Sequence, residues 1–311
     1  MRLALHDWRR GVGMTPMSNR KTHTVRSLKR RLRRFRNRIA ERFFDTRYGR
    51  ELLVNTIGPR VLTMTVDCDD HLMTVSPSDY IGQKVFRKGH FERDRVDHLL
   101  AVMRERGLLK QGADLLELGG NIGTQTVYFA LSKAFRRIVT VEPDPRNFPL
   151  LSTNISQNGL SGQVIAVQCA AGDREGDLEF FLHRNNRGKS SAIRQSPSDE
   201  PILVPVRTVP AILDSVGGDI ADIGLIWMDI EGYEPVACRS MGLLMARGVP
   251  LYMEFTPHFY GRQQAADFVR LLESHYEDCH VFFEDRDEPM KVAALPLDHG
   301  QFDVLFFSKA R

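Results

Sequence analysis

The sequence predicts an α/β protein in which a mostly parallel sheet is wrapped by helices on both faces. Three observations lead there. From residue 115 onward, short apolar runs alternate with segments of helical periodicity. One apolar run, residues 115–118, passes straight into the turn Gly119-Gly120-Asn121-Ile122-Gly123-Thr124. A second, residues 138–141, ends on Glu142 and Pro143. Gly119 and Glu142 are 23 residues apart, close to the ~20 that separate a nucleotide-binding turn from the acid that takes the ribose.

The elements follow in order. Residues 1–24 mix polar, Gly and Pro positions without period and are expected to be disordered. Over residues 25–44, Leu28, Leu32, Phe35, Ile39 and Phe43 recur at steps of four, three, four and four, which is one stripe of a helix with arginines on its other faces. Residues 49–110 read as a cap: a hairpin (61–66 and 72–75) closed by the acidic turn at residues 67–70, then a helix over 92–106 ended by Gly107. The acidic trio of that turn suggests either a metal loop or, in preference, a solvated turn. Strand–helix pairs follow at 115–118 and 124–131, and at 138–141 and 147–158. A third strand, 164–169, leads into Ala170-Ala171-Gly172-Asp173. An inserted hairpin (178–182 and 202–207) surrounds a polar loop at 185–200, and a short helix is expected at 209–216. Further pairs occupy 225–228 with 235–244 and 249–255 with 263–275, and strands at 280–283 and 302–307 finish the sheet. The domains expected are a basic arm at 1–48, the cap at 49–110 and a catalytic domain at 111–311.

Composition narrows the class. The chain has 311 residues, 42% hydrophobic and 26% charged, enough for a sizeable core. Cys68, Cys169, Cys238 and Cys279 are far apart, without metal-ligand spacing, so reduced thiols and a cytoplasmic location are expected. No apolar run reaches membrane-spanning length, and the N-terminus lacks the apolar stretch of a signal peptide. Charge is uneven: residues 1–50 hold 16 Lys or Arg against three acids, and the remainder holds 27 bases against 36 acids. For residues 25–44 this leaves three readings: an interfacial helix on anionic lipid, which would make the protein peripheral at a membrane surface, a helix docked on its own domain or a partner, or, least favoured, a nucleic-acid arm. No exposed aromatic residue is expected among the arginines as a base-stacking platform.

The turn chemistry discriminates among cofactors. A pyrophosphate binder needs G-x-G-x-x-G so that the backbone can press against phosphates at a helix N-terminus. Here Asn121 stands two after Gly119, and Glu117 precedes it by two. A carboxylate at Glu117 would repel a pyrophosphate but suits the ammonium and sulfonium of S-adenosylmethionine. Small residues at Gly119, Gly120, Gly123 and Thr124 allow close backbone approach, and Asn121 offers both donor and acceptor. Glu142 can take the ribose hydroxyls in charge-assisted hydrogen bonds.

Further on, Leu225-Ile226-Trp227-Met228-Asp229-Ile230-Glu231-Gly232-Tyr233-Glu234 is a buried-type strand ending in acids. With the glycine turn, Glu142-Pro143 and Asn154/Asn158, it resembles the FkbM-type S-adenosylmethionine-dependent methyltransferases over about residues 79–310. That resemblance implies a class I methyltransferase fold, Rossmann-like, with seven strands of which the last runs antiparallel. It also implies O-methylation of a hydroxyl on a sugar or secondary metabolite. Gly120 replaces a usual Ala, and Met228 stands where Lys is common, so no role of that Lys carries over.

In open parallel sheets ligands sit beyond the carboxyl ends of the strands. Ala171 is therefore expected at the adenine wall, with Asp173 accepting from the adenine amine. Asp229 is the best-placed catalytic carboxylate, Glu231 follows it, and His258, after the fifth strand, is a candidate general base. Bland roles stand beside these: a helix N-terminal acid for Glu231, a surface loop for His258. No metal is assigned; Mg²⁺ on Asp229 with Glu231 or Glu254 is an option that their spacing does not favour. Competing readings are a non-catalytic S-adenosylmethionine-binding protein docking through its basic arm, and a nucleic-acid methyltransferase. The absence of the aromatic N/D-P-P-Y/F motif after the fourth strand argues against amine chemistry on bases. A dehydrogenase is disfavoured by the missing glycine triplet.

Overall fold

The computed structural model describes residues 20–184, 186–298 and 300–308, with side chains from residue 30 onward. The chain divides into two compact units, Met1–Leu53 and Val54–Arg311. Most of the segment expected to be disordered lies outside the described residues. Its last five residues do not fit that expectation, because helix α1 already begins at Arg20 and runs to Phe44. α2 spans Arg47–Ile57. Thr46 makes the break between them: its hydroxyl donates to the Phe43 carbonyl (2.6 Å) and accepts from the Gly49 N–H (3.1 Å).

The second unit opens with the antiparallel hairpin β1 (Met64–Asp67) and β2 (Leu72–Val75). Its acidic turn is paired: Asp70 binds Arg93 at 2.6 Å and His71 at 2.7 Å, and Asp67 accepts from the Asp69 N–H at 3.0 Å. Helices α3 (Tyr80–Lys88) and α4 (Arg93–Glu105) follow. α3 was not expected, yet its signals are ordinary: Asp79 caps the Ile81 N–H and Gly89 ends the helix at φ 79°.

Next come β3 (Asp114–Leu118), α5 (Thr124–Leu131), β4 (Ile138–Val141), α6 (Phe148–Gln157), β5 (Val164–Val167), β6 (Ala170–Gly172), β7 (Gly176–Leu182), β8 (Glu200–Thr208) and α7 (Val209–Ser215). After them lie β9 (Ile223–Met228), α8 (Glu234–Ser240), α9 (Gly242–Ala246), β10 (Leu251–Phe255), α10 (Pro257–Tyr260), α11 (Arg262–Glu273), β11 (Asp278–Phe282), β12 (Asp287–Lys291) and β13 (Phe302–Phe307). The central sheet has the order β12-β11-β13-β10-β9-β3-β4-β5. Neighbours from β10 through β5 run parallel, and β13 is inserted antiparallel between β10 and β11. This is the expected α/β fold with one addition, the eighth strand β12. Its alternation of exposed and half-buried positions over Asp-Glu-Pro-Met-Lys is that of an edge strand, and so polar a segment gives no strand signal.

β6, β7 and β8 form a separate three-stranded sheet, so Ala170–Gly172 is strand and not loop. The single helix expected over 235–244 is two, broken at Met241. β3, β4 and β9 are buried along their whole length, as strands covered on both faces must be. One apolar cluster lies on the face carrying Leu116, Ile226 and Met253, and another on the face carrying Leu115, Trp227 and Tyr252.

Asn154 and Asn158 tie the hairpin to this scaffold. Asn154 accepts from the Thr74 N–H (2.6 Å) and donates to the carbonyls of Thr74 (3.0 Å) and Ile122 (2.7 Å). Asn158 both accepts from and donates to the Leu72 backbone, each at 2.8 Å. Two amide side chains thus act as a partner strand for β2 and fix it beside the glycine turn.

Candidate active site

β3, β4, β9 and β10 end side by side, so the loops that leave them converge. The turn after β3 is possible only with glycine at its first position. Gly119 has φ 92°, and a Cβ there would stand 1.9 Å from the Asp229 carbonyl oxygen. At Gly120 a Cβ would stand 2.2 Å from Thr140 Oγ1. These glycines therefore serve the packing of turn on strand. Asn121 follows in a left-handed conformation (φ 49°) and donates its N–H to Glu142 Oε2 at 2.7 Å. The Asp144 N–H donates to the other oxygen, Oε1, at 2.8 Å. Glu142 is thereby clamped by two backbone donors, with its remaining lone pairs free for a ligand. Burial, then repulsion from Asp144, raises its pKa to about 8, against the pull of those two donors.

Glu117 stands differently. It is fully buried beneath the turn, where Oε2 accepts from the Thr126 hydroxyl (2.5 Å) and Oε1 has no partner. Burial raises its pKa to about 7. It does not line the cleft described next. Thr124 is likewise buried and bonded to Gln125, and Gly123 closes the turn at φ 89°.

Beyond the strand ends is a cleft of about 170 Å³ that opens to solvent. Gly119, Asn121, Glu142, Asp229 and Glu231 all line it. Against it lies a narrow apolar slot of about 30 Å³, walled by Leu118, Val141, Ala170, Ala171 and Tyr233. Gly119, Pro143, Phe180 and Ile230 border both. Ala171 is thus at a wall of the slot. Asp173 lines neither space and pairs with Arg239 at 3.1 Å. His258 is exposed on α10 and packs against Phe259 at a tilt of 55°, lining neither space.

The acids at the far side of the cleft form a group. Asp229, Glu231 and Glu254 each place a carboxylate oxygen within 4.8 Å of the others, and Glu92 lines the same cleft. Glu231 is set by its backbone, with φ 54° followed by Gly232 at φ 99°. Glu234, the last acid of the motif, has another task. Fully inside, it accepts from the N–H groups of Ile230 and Gly232 (3.2 Å each) and from the Tyr260 hydroxyl (2.7 Å), and so holds the loop that presents Asp229 and Glu231. Met228 packs in the core and reaches no ligand space.

Burial followed by repulsion from Glu254 and Glu231 holds the Asp229 pKa well above the carboxylate range. Burial brings Glu231 to about 7, opposed by a hydrogen bond from Gln195. Burial and repulsion from Glu231 bring Glu254 to about 8. Glu92 is also raised by burial, with Arg95 at 3.5 Å opposing. Such a group has three chemical options: to take a proton, to face a cation, or to hold a metal ion between oxygens.

Glu92 and Asn147 carried no signal in the sequence. Glu92 is the left-handed residue before α4. Asn147, buried with an unpartnered Oδ1, lines the cleft from the start of α6. Glu254 enters the sequence reading only as an optional metal ligand beside Asp229. Arg187 and Lys189 reach the cleft from the polar loop, where the Arg187 N–H is anchored on Asp79 at 2.8 Å.

Residues 117–298 match the methyltransferase FkbM domain. The chain belongs to the FkbM methyltransferase family. Among solved structures it is similar to the methyltransferase FkbM from Methylobacillus flagellatus KT, with 16% identity and a TM-score of 0.44 over 82% of this chain. The match spans 58% of that longer protein. It is also similar to the O-methyltransferase from Bacillus cereus in complex with SAH, at 11% identity and a TM-score of 0.41, over 69% of this chain and 81% of that one. Cofactor-bound Rv0187 from MTB matches at 14% identity and a TM-score of 0.40, over 70% and 81%. No curated protein matches the chain.

Proposed function

We propose that this FkbM-family protein transfers a methyl group from S-adenosylmethionine to a hydroxyl of a small molecule or glycan. The observation that carries the reading is the division of one site into two chemistries around Glu142. An apolar slot adjoins one side of it, and a cluster of carboxylates faces the other. The slot suits a flat heterocycle, Glu142 can accept two hydroxyl hydrogens, and the carboxylates suit a cationic group. The buried, unpartnered Oδ1 atoms of Asn121 and Asn147 are acceptors without donors in the protein, a state that costs free energy until a ligand donor arrives. When bound, S-adenosylmethionine supplies a methyl on a positively charged sulfur.

The protein's part is to align the acceptor, exclude water and receive a proton. Positioning supplies much of the acceleration in a single displacement. An alcohol oxygen must lose its proton as it gains the methyl, and a carboxylate of raised proton affinity accepts it more readily than an ordinary one. Asp229 is the residue to which we assign that role, with Glu231 and Glu254 holding its proton affinity up by repulsion. Arg187 and Lys189, which line the same cleft, are assigned the selection of the acceptor. The hydroxyl acceptor and its sugar or metabolite class rest on the family resemblance and on this carboxylate chemistry.

Asp229→Asn, assayed by mass detection of methylated acceptor, should lose at least about 100-fold in turnover, in keeping with removal of a general base. Calorimetry should show S-adenosylmethionine affinity within about threefold of wild type, under 1 kcal/mol. Retained turnover would remove Asp229 from the mechanism.

A further inference from the structure

The first compact unit carries a surface that the methyl-transfer reading does not use. Leu32, Phe35, Ile39 and Phe43 on α1 are between 46% and 65% exposed, and helical geometry sets them within an arc of roughly 80°. Isolated exposed apolar residues are unremarkable, but four large ones in a continuous row demand a cover. The flanks of the row are cationic. Arg33 and Arg36 lie along one edge, and Arg31, Arg38 and Arg42 along the other; all are exposed. Across Arg20–Phe44 the helix has eleven Arg or Lys and a single acid, Glu41, on the side opposite the row.

We propose that α1 docks in the plane of an anionic phospholipid bilayer, its apolar row among the acyl chains and its flanking arginines on the headgroup phosphates. Chemistry selects this occupant. Acyl chains cover Leu, Phe and Ile side chains, whereas nucleic acid would satisfy the arginines and leave the row in water. A second copy of the helix would set arginine edges against arginine edges, since both flanks carry the same charge. Arg side chains have the length to keep the guanidinium at headgroup level while the stem lies along the apolar boundary. Among the described residues no helix is long and apolar enough to cross a membrane, so the docking is in-plane. Each basic side chain near an anionic surface adds to the attraction, and that part is screened by salt.

The test is flotation of the full chain with vesicles of phosphatidylcholine alone and of phosphatidylcholine mixed with phosphatidylglycerol. The wild-type protein should float with the anionic vesicles, at least about tenfold more strongly than with neutral ones, and less so as salt rises. Phe35→Ser combined with Ile39→Ser should weaken flotation by about tenfold or more, because two buried apolar side chains are lost. Arg33→Gln with Arg36→Gln should remove most of the preference for anionic lipid. All four positions are exposed, so unchanged circular dichroism and melting temperature are expected and confirm folding. Three results would overturn the proposal: wild-type protein that stays behind with both vesicle types, equal flotation of the Phe35/Ile39 variant, or a stripe-dependent dimer in sedimentation that does not float.

Discussion

Glu254→Gln removes one charge from a group of three carboxylates whose oxygens lie within 4.8 Å of one another. At that separation two unit charges repel by about 3–4 kcal/mol in an effective dielectric near 20, and by about 1 kcal/mol in bulk water. The cleft is half-open, so a net gain of about 1–3 kcal/mol lies between these limits. Burial and repulsion raise the folded-state pKa of Glu254 to about 8 from an ordinary 4.5. Between those values the folded protein binds the proton that the unfolded chain has released, so this group's contribution to stability falls as pH rises and is lowest above about pH 8. Below about pH 4.5 both states are protonated and the contribution is restored in full. The variant should therefore melt close to wild type at about pH 5 and higher than wild type at about pH 9, by roughly 2–4 °C per kcal/mol. Differential scanning calorimetry across that range, with EDTA present, makes the comparison. A variant that melts lower than wild type at the alkaline end would mean that the hydrogen bond from Gln301 to Glu254 outweighs the repulsion, and the picture of crowded, proton-seeking acids would be wrong.

Two other substitutions probe the turn. Gly119→Ala forces a Cβ into the Asp229 carbonyl at a φ of 92° and should cost about 3 kcal/mol or more, read from denaturant unfolding, whereas Gly112→Ala, also at positive φ but with nothing within 4 Å, should cost about 1 kcal/mol. Glu142→Gln leaves one acceptor oxygen for the two backbone donors of Asn121 and Asp144 and turns an amide N–H₂ towards one of them; S-adenosylmethionine affinity, by calorimetry, should fall roughly 10- to 100-fold, or about 1.4–2.7 kcal/mol.

The fold was legible where burial dictates sequence. β3, β4 and β9 have both faces covered, and such strands read as mainly apolar runs, with the buried Asp114, Glu117 and Thr140 as the exceptions. The edge strand β12 needs only one face covered and includes a Pro, so its composition is that of a loop. The split of α8 from α9 at Met241 is invisible to periodicity, because both halves bury the same type of residue. For the site, sequence reading works where the backbone itself brings residues to strand ends. It found Asn121, Glu142, Asp229 and Glu231 in this way, and all four line one cleft. It does not say which way a side chain turns: Asp173 and His258 also follow strand ends, but the first turns to Arg239 and the second to solvent. Glu92 comes from a separate helix start, and only the folded chain brings it to the other acids. Glu117, chosen from its place in the motif, lies under the turn with one oxygen unsatisfied, so its effect on the site passes through Thr126 and the turn backbone.

The observation of most consequence is a calorimetric titration of the protein with S-adenosylmethionine and, separately, with NAD. A slot for a heterocycle beside a clamped carboxylate, backed by acids and lacking a glycine triplet for phosphates, predicts saturable one-to-one binding of S-adenosylmethionine and none of NAD. Saturable binding of NAD with no heat from S-adenosylmethionine would contradict the reading of this cleft.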